Sequence, residues 1–214
     1  MANSIYVDQT MQNAGQTIKT QVWSALEKKY EFWGKDMICA VYQEGKLLGK
    51  KKIKNSFCEL GKSFNAKSSG LFGLGKCKDI KAHFCNCQPW SAKIDLHGSN
   101  LLRSQGFMFK GYCECKITDV DFDAFYRWCD TVGLKSENGC DLSLYRFQDL
   151  VVNLFVKKVW ETSIMNFDPK SKVWMVGLNP KDYPEFIETF IQRVKTNISN
   201  MGITCDFNMV YKLN

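Results

Sequence analysis

The sequence is short of the features that would assign it to a membrane or to secretion. No run approaches the roughly 18 consecutive apolar residues that a transmembrane helix needs, so none is predicted. The first 20 residues contain neither the charged region nor the apolar region of a signal peptide. We therefore expect a cytoplasmic protein, or a component of a virus particle that is assembled in the cytoplasm.

Histidine is scarce, which limits acid–base and nucleophilic catalysis. The only two histidines, His83 and His97, adjoin no serine or cysteine nucleophile signature. Acidic pairs such as Asp119 and Asp121 fall where a helix is predicted to begin, and carboxylates at that point satisfy free backbone amides. The sequence therefore predicts no catalytic residue and no enzyme.

A phosphate-binding loop is nearly present but incomplete. Residues 70–77 contain the glycines and the lysine of such a loop, yet Cys77 stands where a serine or threonine must hold the magnesium ion. The polar residues before this stretch do not predict the buried strand from which such a loop departs. A glycine-rich turn is the expected structure.

The sequence does contain enough apolar material for a folded core. Of its 214 residues, 45% are hydrophobic and 14% are aromatic, which argues against disorder. The pattern predicts an α+β protein with an N-terminal amphipathic helix, mostly antiparallel strands in the first half, helices in the second half and a C-terminal strand. We expect two parts, an N-terminal amphipathic helical segment (residues 1–34) and a single α+β domain (residues 35–214).

The N-terminal helix is predicted from apolar residues that recur at steps of three and four between Met11 and Trp33. Such a stripe could pack on its own domain, pair with a neighbouring subunit or lie on a membrane surface. The predicted assembly interface consists of Ile18, Val22, Trp23, Leu26, Tyr30 and Trp33.

Strict alternation of apolar and polar residues marks the strands of the second half. Residues 107–118 place Cys113, Cys115 and Ile117 on one face. Either Asp119 or Asp121 is expected to cap the helix that follows.

Two further helices and a final strand complete the predicted order of elements. One helix is expected over residues 142–160, and another begins near Pro184 and ends at Gly202. After that glycine, strict alternation over residues 203–213 predicts the last strand.

Ten cysteines are present, and without a signal peptide they are expected to be thiols in a reducing compartment. The best candidates for a zinc site are Cys77, Cys85 and Cys87, because thiolates are preferred zinc ligands. Structural zinc sites usually contain Cys-x2-Cys, however, whereas Cys85 with Cys87 and Cys113 with Cys115 are both spaced as Cys-x-Cys. Burial as small apolar residues is therefore favoured, and no cofactor is predicted, with zinc as the alternative.

The net charge of +7 includes one dense basic run, formed by Lys50, Lys51, Lys52 and Lys54. A basic strand of this kind can contact nucleic acid or an anionic surface. It can equally form the solvated edge of a hairpin, where lysine prevents pairing with another sheet.

The second half of the chain resembles the SPFH domain of stomatin, prohibitin and flotillin, within its soluble, virion-core-like branch. The resemblance covers residues 92–214. It is based on the alternating strand at 111–117, the Asp-started helix that follows, the helical region at 142–160, and a last helix that turns directly into a strand at 201–203. The resemblance implies a non-enzymatic domain that oligomerises into rings or arrays, often at membranes.

Together these features predict a self-assembling scaffold or structural subunit. The expected partners are copies of the same chain and other structural proteins, and no small-molecule substrate is predicted. Two alternatives stay open. One is a nucleic-acid-binding module, or a contact with an anionic membrane surface, through the basic run, and the other is a zinc-binding protein using cysteines between Cys77 and Cys115.

Overall fold

The computed structural model of the chain describes residues 3–6, 16–23, 30–34, 36–43, 46–53, 56–59, 80–97, 108–134, 142–160 and 184–213. Strands dominate the first half of these residues, helices follow, and a strand comes last, so the fold is α+β. The strands are β1 (Asn3–Tyr6), β2 (Gln16–Trp23), β3 (Tyr30–Gly34), β4 (Met37–Gln43), β5 (Lys46–Ile53), β6 (Ser56–Glu59), β7 (Ile80–Asn86), β8 (Trp90–His97), β9 (Met108–Val120), β10 (Leu142–Ser143) and β11 (Ile203–Leu213). The helices are α1 (Phe122–Thr131), α2 (Leu144–Asp149) and α3 (Pro184–Asn200).

The contacts of the chain divide it into two compact units. The first unit comprises Met1–Gln88 and Asp119–Tyr145, and the second comprises Pro89–Thr118 and Arg146–Asn214. The boundary expected from the sequence, between residues 34 and 35, stays a prediction.

In the first unit, a five-stranded sheet has the order β10-β2-β7-β4-β5, and its neighbouring strands are antiparallel. Strand β7 is central, with Thr20 of β2 opposite His83 on one side and Ala40 of β4 opposite it on the other. Every residue of β4 from Met37 to Tyr42 is buried. A smaller sheet of order β1-β3-β6 contains the one parallel pair among the described pairings, β1 with β3.

Helix α1 begins and ends as the sequence predicts. The carboxylate of Asp121 accepts a hydrogen bond of 3.0 Å from the backbone amide of Ala124, which makes Asp121 the N-cap. The helix ends at Thr131 with Val132 as its C-cap, and Gly133 directly after the cap has a φ of 69°, which suits glycine. Phe122, Phe125 and Cys129 form its buried stripe.

The predicted N-terminal amphipathic helix is wrong. The described residues of the region in which it was expected form strands β2 and β3. Most of the steps in the apolar stripe are of four residues, and four is a multiple of the two-residue period of a strand as well as close to one helical turn. The β-branched residues of β2, which are Thr17, Ile18, Thr20 and Val22, favour the strand.

In the second unit, β9 lies between β11 and β8 in a three-stranded sheet. The predicted alternation is confirmed on β9, where Cys113, Cys115 and Ile117 are buried. It is also confirmed on β11, whose buried residues are Ile203, Cys205, Phe207 and Met209. Helix α3 runs directly into β11 through Gly202, which has a φ of 79°.

The predicted helix over residues 142–160 begins with a short strand and contains a wide turn. After β10, α2 continues into a π-helical segment, Leu150–Val156, and then into α-helix at 157–160. The amide of Lys157 donates to the carbonyl of Val152, five residues earlier. The wide turn accommodates one residue more than an α-helix would. As a result Phe155 and Val156 are buried, whereas Leu154, which an α-helical period would bury, is 40% exposed.

Candidate functional sites

A buried histidine lies at the centre of the first unit. The Nδ1 atom of His83 is 3.0 Å from the hydroxyl of Thr20 and is also hydrogen-bonded to the hydroxyl of Tyr126, and these two hydroxyls are 2.8 Å apart. The three side chains come from β7, β2 and α1 respectively. The cluster therefore ties the helix to two neighbouring strands of the sheet.

Aromatic rings cover the same histidine. The ring of Phe122 stacks on His83 at 5.5 Å, and the edge of Tyr42 meets it at 5.0 Å. Burial, followed by the positive charge of Lys81, lowers the pKa of His83 to about 4. The ring is therefore neutral near pH 7, and a proton on Nε2 lets Nδ1 accept from a hydroxyl.

Tyr42 extends this cluster toward α1. Burial, together with the charge of Asp123 and a hydrogen bond to it, raises the pKa of Tyr42 to about 12. The phenol is thus held in its neutral form, as a donor to the carboxylate. A neutral histidine and a neutral tyrosine, closed over by rings, form a polar core that positions α1 on the sheet.

The described cysteines are packed inside the protein. The structure describes the side chains of seven cysteines, and all seven are buried thiols: Cys39, Cys85, Cys87, Cys113, Cys115, Cys129 and Cys205. The thiol of Cys115 donates a hydrogen bond to the sulfur of Cys205. This hydrogen bond and burial both raise the pKa of Cys115, whereas for Cys205 the same hydrogen bond outweighs burial and lowers the pKa. Burial raises the pKa of Cys113 to about 11. Protonated, buried thiols such as Cys113 and Cys115 behave as small apolar side chains.

Of the predicted zinc ligands, Cys85 and Cys87 lie close together at the end of β7. A hydrogen bond from Cys85, aided by the charge of Lys52, lowers the pKa of Cys87. Cys77 is outside the described residues, so the zinc alternative stays a prediction. Within the ranges that the structure describes, no three His, Cys, Asp or Glu side chains come together in a way that could hold a metal ion.

The basic run lies on β5, which is an edge strand of the five-stranded sheet in the described part of the chain. The amine of Lys50 is 2.7 Å from the carboxylate of Asp119. Burial alone would raise the pKa of Asp119, but the hydrogen bond and charge of Lys50 outweigh it and the pKa lies below its ordinary value. The side chain of Lys52 is exposed, that of Lys51 is among those not described, and Lys54 is outside the described residues.

The predicted assembly interface is split between two strands. Ile18 on β2 is fully buried. Val22 and Trp23 also belong to β2, and Tyr30 and Trp33 belong to β3. Leu26 lies outside the described residues, and an assembly role for these six residues stays a prediction.

Sequence reasoning missed an open cleft in the second unit. It has a volume of about 410 Å³ and lies between α3 and the helix that contains the π-helical segment. Its described walls consist of Leu154, Phe155, Lys158, Val159, Arg193, Thr196 and Asn197. No signal in the sequence locates the cleft, because Leu154 and Phe155 lie three and four residues after Val151 and a regular α-helix could turn both of them inward.

Comparison with known proteins supplies no family for these sites. No protein-family model matches the sequence, and no curated protein matches it significantly. Within the described residues, no helix combines the length and the apolar character needed to cross a bilayer.

Proposed function

We propose that the protein is a non-enzymatic structural subunit of the cytoplasm that assembles with copies of itself by adding strands at the edges of the β11-β9-β8 sheet. The observation that carries this proposal is the character of strand β11. It has eleven residues and lies at the edge of its sheet in the described part of the chain. A long edge strand is a ready template for pairing with another chain.

The side chains on the solvent face of β11 offer little protection against such pairing. Thr204, Asp206, Asn208 and Val210 are exposed, and only one of the four is charged. Natural edges that must stay unpaired are usually protected by lysine, proline or a bulge. The opposite edge of the same sheet, β8, could receive β11 of the next copy, and repetition of that head-to-tail contact produces a ring or a filament.

The state of the reactive groups supports a structural role. His83, Cys113 and Cys115 are buried and held in their neutral forms, and Asp121 caps a helix. The free thiols suit a reducing compartment. The elements on which the SPFH resemblance was based occur in the expected order, and membership of that family stays a prediction.

The test is the mass of the full chain in solution, measured by light scattering over a range of micromolar concentrations. We expect a mass well above the 24.6 kDa of one chain. A strictly monomeric protein would end the proposal.

A matched pair of variants locates the contact. Val210→Lys adds a charge to the edge strand, and Tyr112→Lys adds one to the central strand β9 on a side chain of nearly equal exposure, 54% against 51%. We expect Val210→Lys to reduce the assembly to smaller species and Tyr112→Lys to leave it intact. Loss of assembly in Tyr112→Lys alone would place the contact on the face of the sheet and contradict pairing at the edge.

A further inference from the structure

We propose that the cleft between the π-helical segment and α3 binds a small amphiphilic anion, a single carboxylate or phosphate group that carries a short hydrocarbon chain. This inference concerns a ligand site and does not depend on assembly. It is based on the shape, the charge and the unusual backbone of the cleft.

Each wall of the cleft is one face of a helix. Arg193, Thr196 and Asn197 are separated by three and four residues, so they project from the same side of α3. On the facing helix, Leu154 and Lys158 are four residues apart, and so are Phe155 and Val159. The lining residues therefore converge on one space from two rigid elements, which is the arrangement of a preformed site.

Charge and hydrogen-bonding groups favour an anion. Lys158 and Arg193 supply two positive charges from opposite walls, and Asn197 adds a neutral polar group. The hydroxyl of Thr196 already donates to the carbonyl of Gln192, 2.9 Å away. None of the seven described lining residues is acidic. Both cations also interact with other groups of the protein, so a bound anion would join or replace contacts that already orient them. Arginine and lysine together are well suited to a carboxylate or phosphate.

The rest of the lining is apolar and accounts for the hydrocarbon chain. Leu154, Phe155 and Val159 line the same space as the cations, and Leu154 is 40% exposed although it is a large aliphatic side chain. The volume of about 410 Å³ falls within the range of roughly 300–1,000 Å³ typical of small-molecule sites. A short hydrocarbon chain packed on these apolar side chains would remove Leu154 from water, while the anionic head group of the ligand contacts Lys158 and Arg193.

The backbone provides an independent reason to regard the cleft as a site. The π-helical turn moves the buried positions to Phe155 and Val156 and leaves Leu154 on the wall of the cleft. π-helical turns are rare in proteins as a whole, and many of those that occur lie at functional sites.

The occupant is a free, monomeric amphiphile and not the surface of a bilayer. The apolar residues line a concave space between two helices, whereas binding to a bilayer requires apolar side chains that protrude from a surface. The experiment distinguishes these two sources of the same chemistry.

The test is calorimetric titration of the full chain with octanoate and, separately, with octyl phosphate. We expect saturable binding of one molecule per chain. Lys158→Ala and Arg193→Ala should each weaken that binding about tenfold or more, because each removes a charge-assisted hydrogen bond. The neighbouring exposed lysine provides the matched control, and Lys157→Ala should bind as the unaltered protein does.

Two further measurements test the charge and the apolar lining separately. Octanol has the hydrocarbon chain without the charge and should bind at least about tenfold more weakly than octanoate. Leu154→Asn, at an exposed position, should weaken the binding of octanoate with little effect on folding. Equal binding by octanol, or equal binding by the cation variants while circular dichroism shows them folded, would overturn the proposal. So would binding to vesicles of anionic phospholipid without binding of octanoate.

The Val210→Lys variant keeps this test apart from that of assembly. If the proposed cleft site is correct, this variant binds octanoate normally whether or not it assembles. Loss of octanoate binding in Val210→Lys would contradict a site confined to the two helices.

Discussion

The two main sheets place different chemistry on their central strands and different side chains at their edges. The middle strand of the first unit, β7, presents a neutral histidine that is hydrogen-bonded to two hydroxyls. The middle strand of the second unit, β9, presents thiols among apolar residues. At the edges, β5 contains four lysines, whereas β11 contains a single lysine and a single aspartate.

The side chains on the central strands determine how each unit packs internally, whereas the side chains on the edge strands determine what each unit presents to a partner. Buried polar groups must be satisfied in one geometry, so the His83 cluster specifies how α1 meets its sheet and makes the first unit sensitive to protons. Buried thiols form weaker hydrogen bonds than hydroxyls or imidazoles do, and they mainly fill space in the core as small apolar side chains. Lysine is a common protection of edge strands against pairing, and β5 contains more of it than β11, which is why the proposed contact lies on the second unit.

The largest expected effect is the loss of stability of the first unit in acid. The pKa of His83 falls from 6.5 to about 4 on folding, so the unfolded chain binds more protons between these values. The free energy of unfolding is therefore unaffected by this group above about pH 6.5. It decreases as the pH falls toward 4, by about 3 kcal/mol in total.

Urea unfolding near neutral pH and near pH 4 measures this effect in the unaltered protein and in His83→Gln, which cannot titrate. Hydrogen exchange at β7 and β9 shows which unit is affected. The same acid loss in both proteins would remove His83 as the cause.

A smaller effect is expected from Cys115→Ser, about 2 kcal/mol, because a hydroxyl is costlier to bury than a thiol. Cys115→Ala, which removes the polar atom and leaves only a small void, should be the more stable of the two variants. Denaturant unfolding gives the order. If serine proved equivalent to cysteine and alanine were the worse variant, the thiol would be acting through its hydrogen bond to Cys205 and not as an apolar group.

In the first unit, Thr20→Val should cost about 1 kcal/mol, because it removes one hydroxyl from the His83 cluster while preserving shape. Thr17 supplies a close control. It is also buried on β2, and its hydroxyl has no hydrogen-bond partner among the described residues. Thr17→Val should therefore be neutral or stabilising, and equal losses in the two variants would contradict a specific role for the cluster.

The smallest effect concerns the lysine-rich edge. The ion pair of Lys50 with Asp119 is partly exposed, so Lys50→Gln should cost less than about 1 kcal/mol, and less still in high salt. Lys52→Gln on the same strand is the control and should cost less than Lys50→Gln. Thermal unfolding at two salt concentrations measures both, and a salt-independent loss would mean that Lys50 acts through packing.

The sequence predicts the fold best where its periodicity has only one interpretation. Residues 203–210 alternate strictly and form the expected strand, and Asp121 with Gly133 delimits α1 as predicted. The N-terminal region failed because steps of four residues satisfy both periods, and the partner that decides between them, β7, lies some sixty residues away. Strand pairing between residues so far apart in the sequence cannot be detected from a local pattern of apolar residues.

The candidate sites follow the same rule. Burial of Cys113 and Cys115 could be predicted because they share a face with Ile117. The His83 cluster could not, because Thr20, His83 and Tyr126 meet only through sheet register and helix packing. The cleft was hidden for a third reason, since a single wide turn changes which residues face inward without changing their composition.

The wide turn determines where the second unit should tolerate the deletion of a residue. It behaves as one residue inserted into an α-helix, so deletion of Asn153 would return the inward positions to the regular spacing of three and four from Phe147 onward. The same deletion within α3 would rotate every later residue of that stripe by about 100° away from the core. The second unit should therefore tolerate a shortened chain at the wall of the cleft and not on the opposite helix.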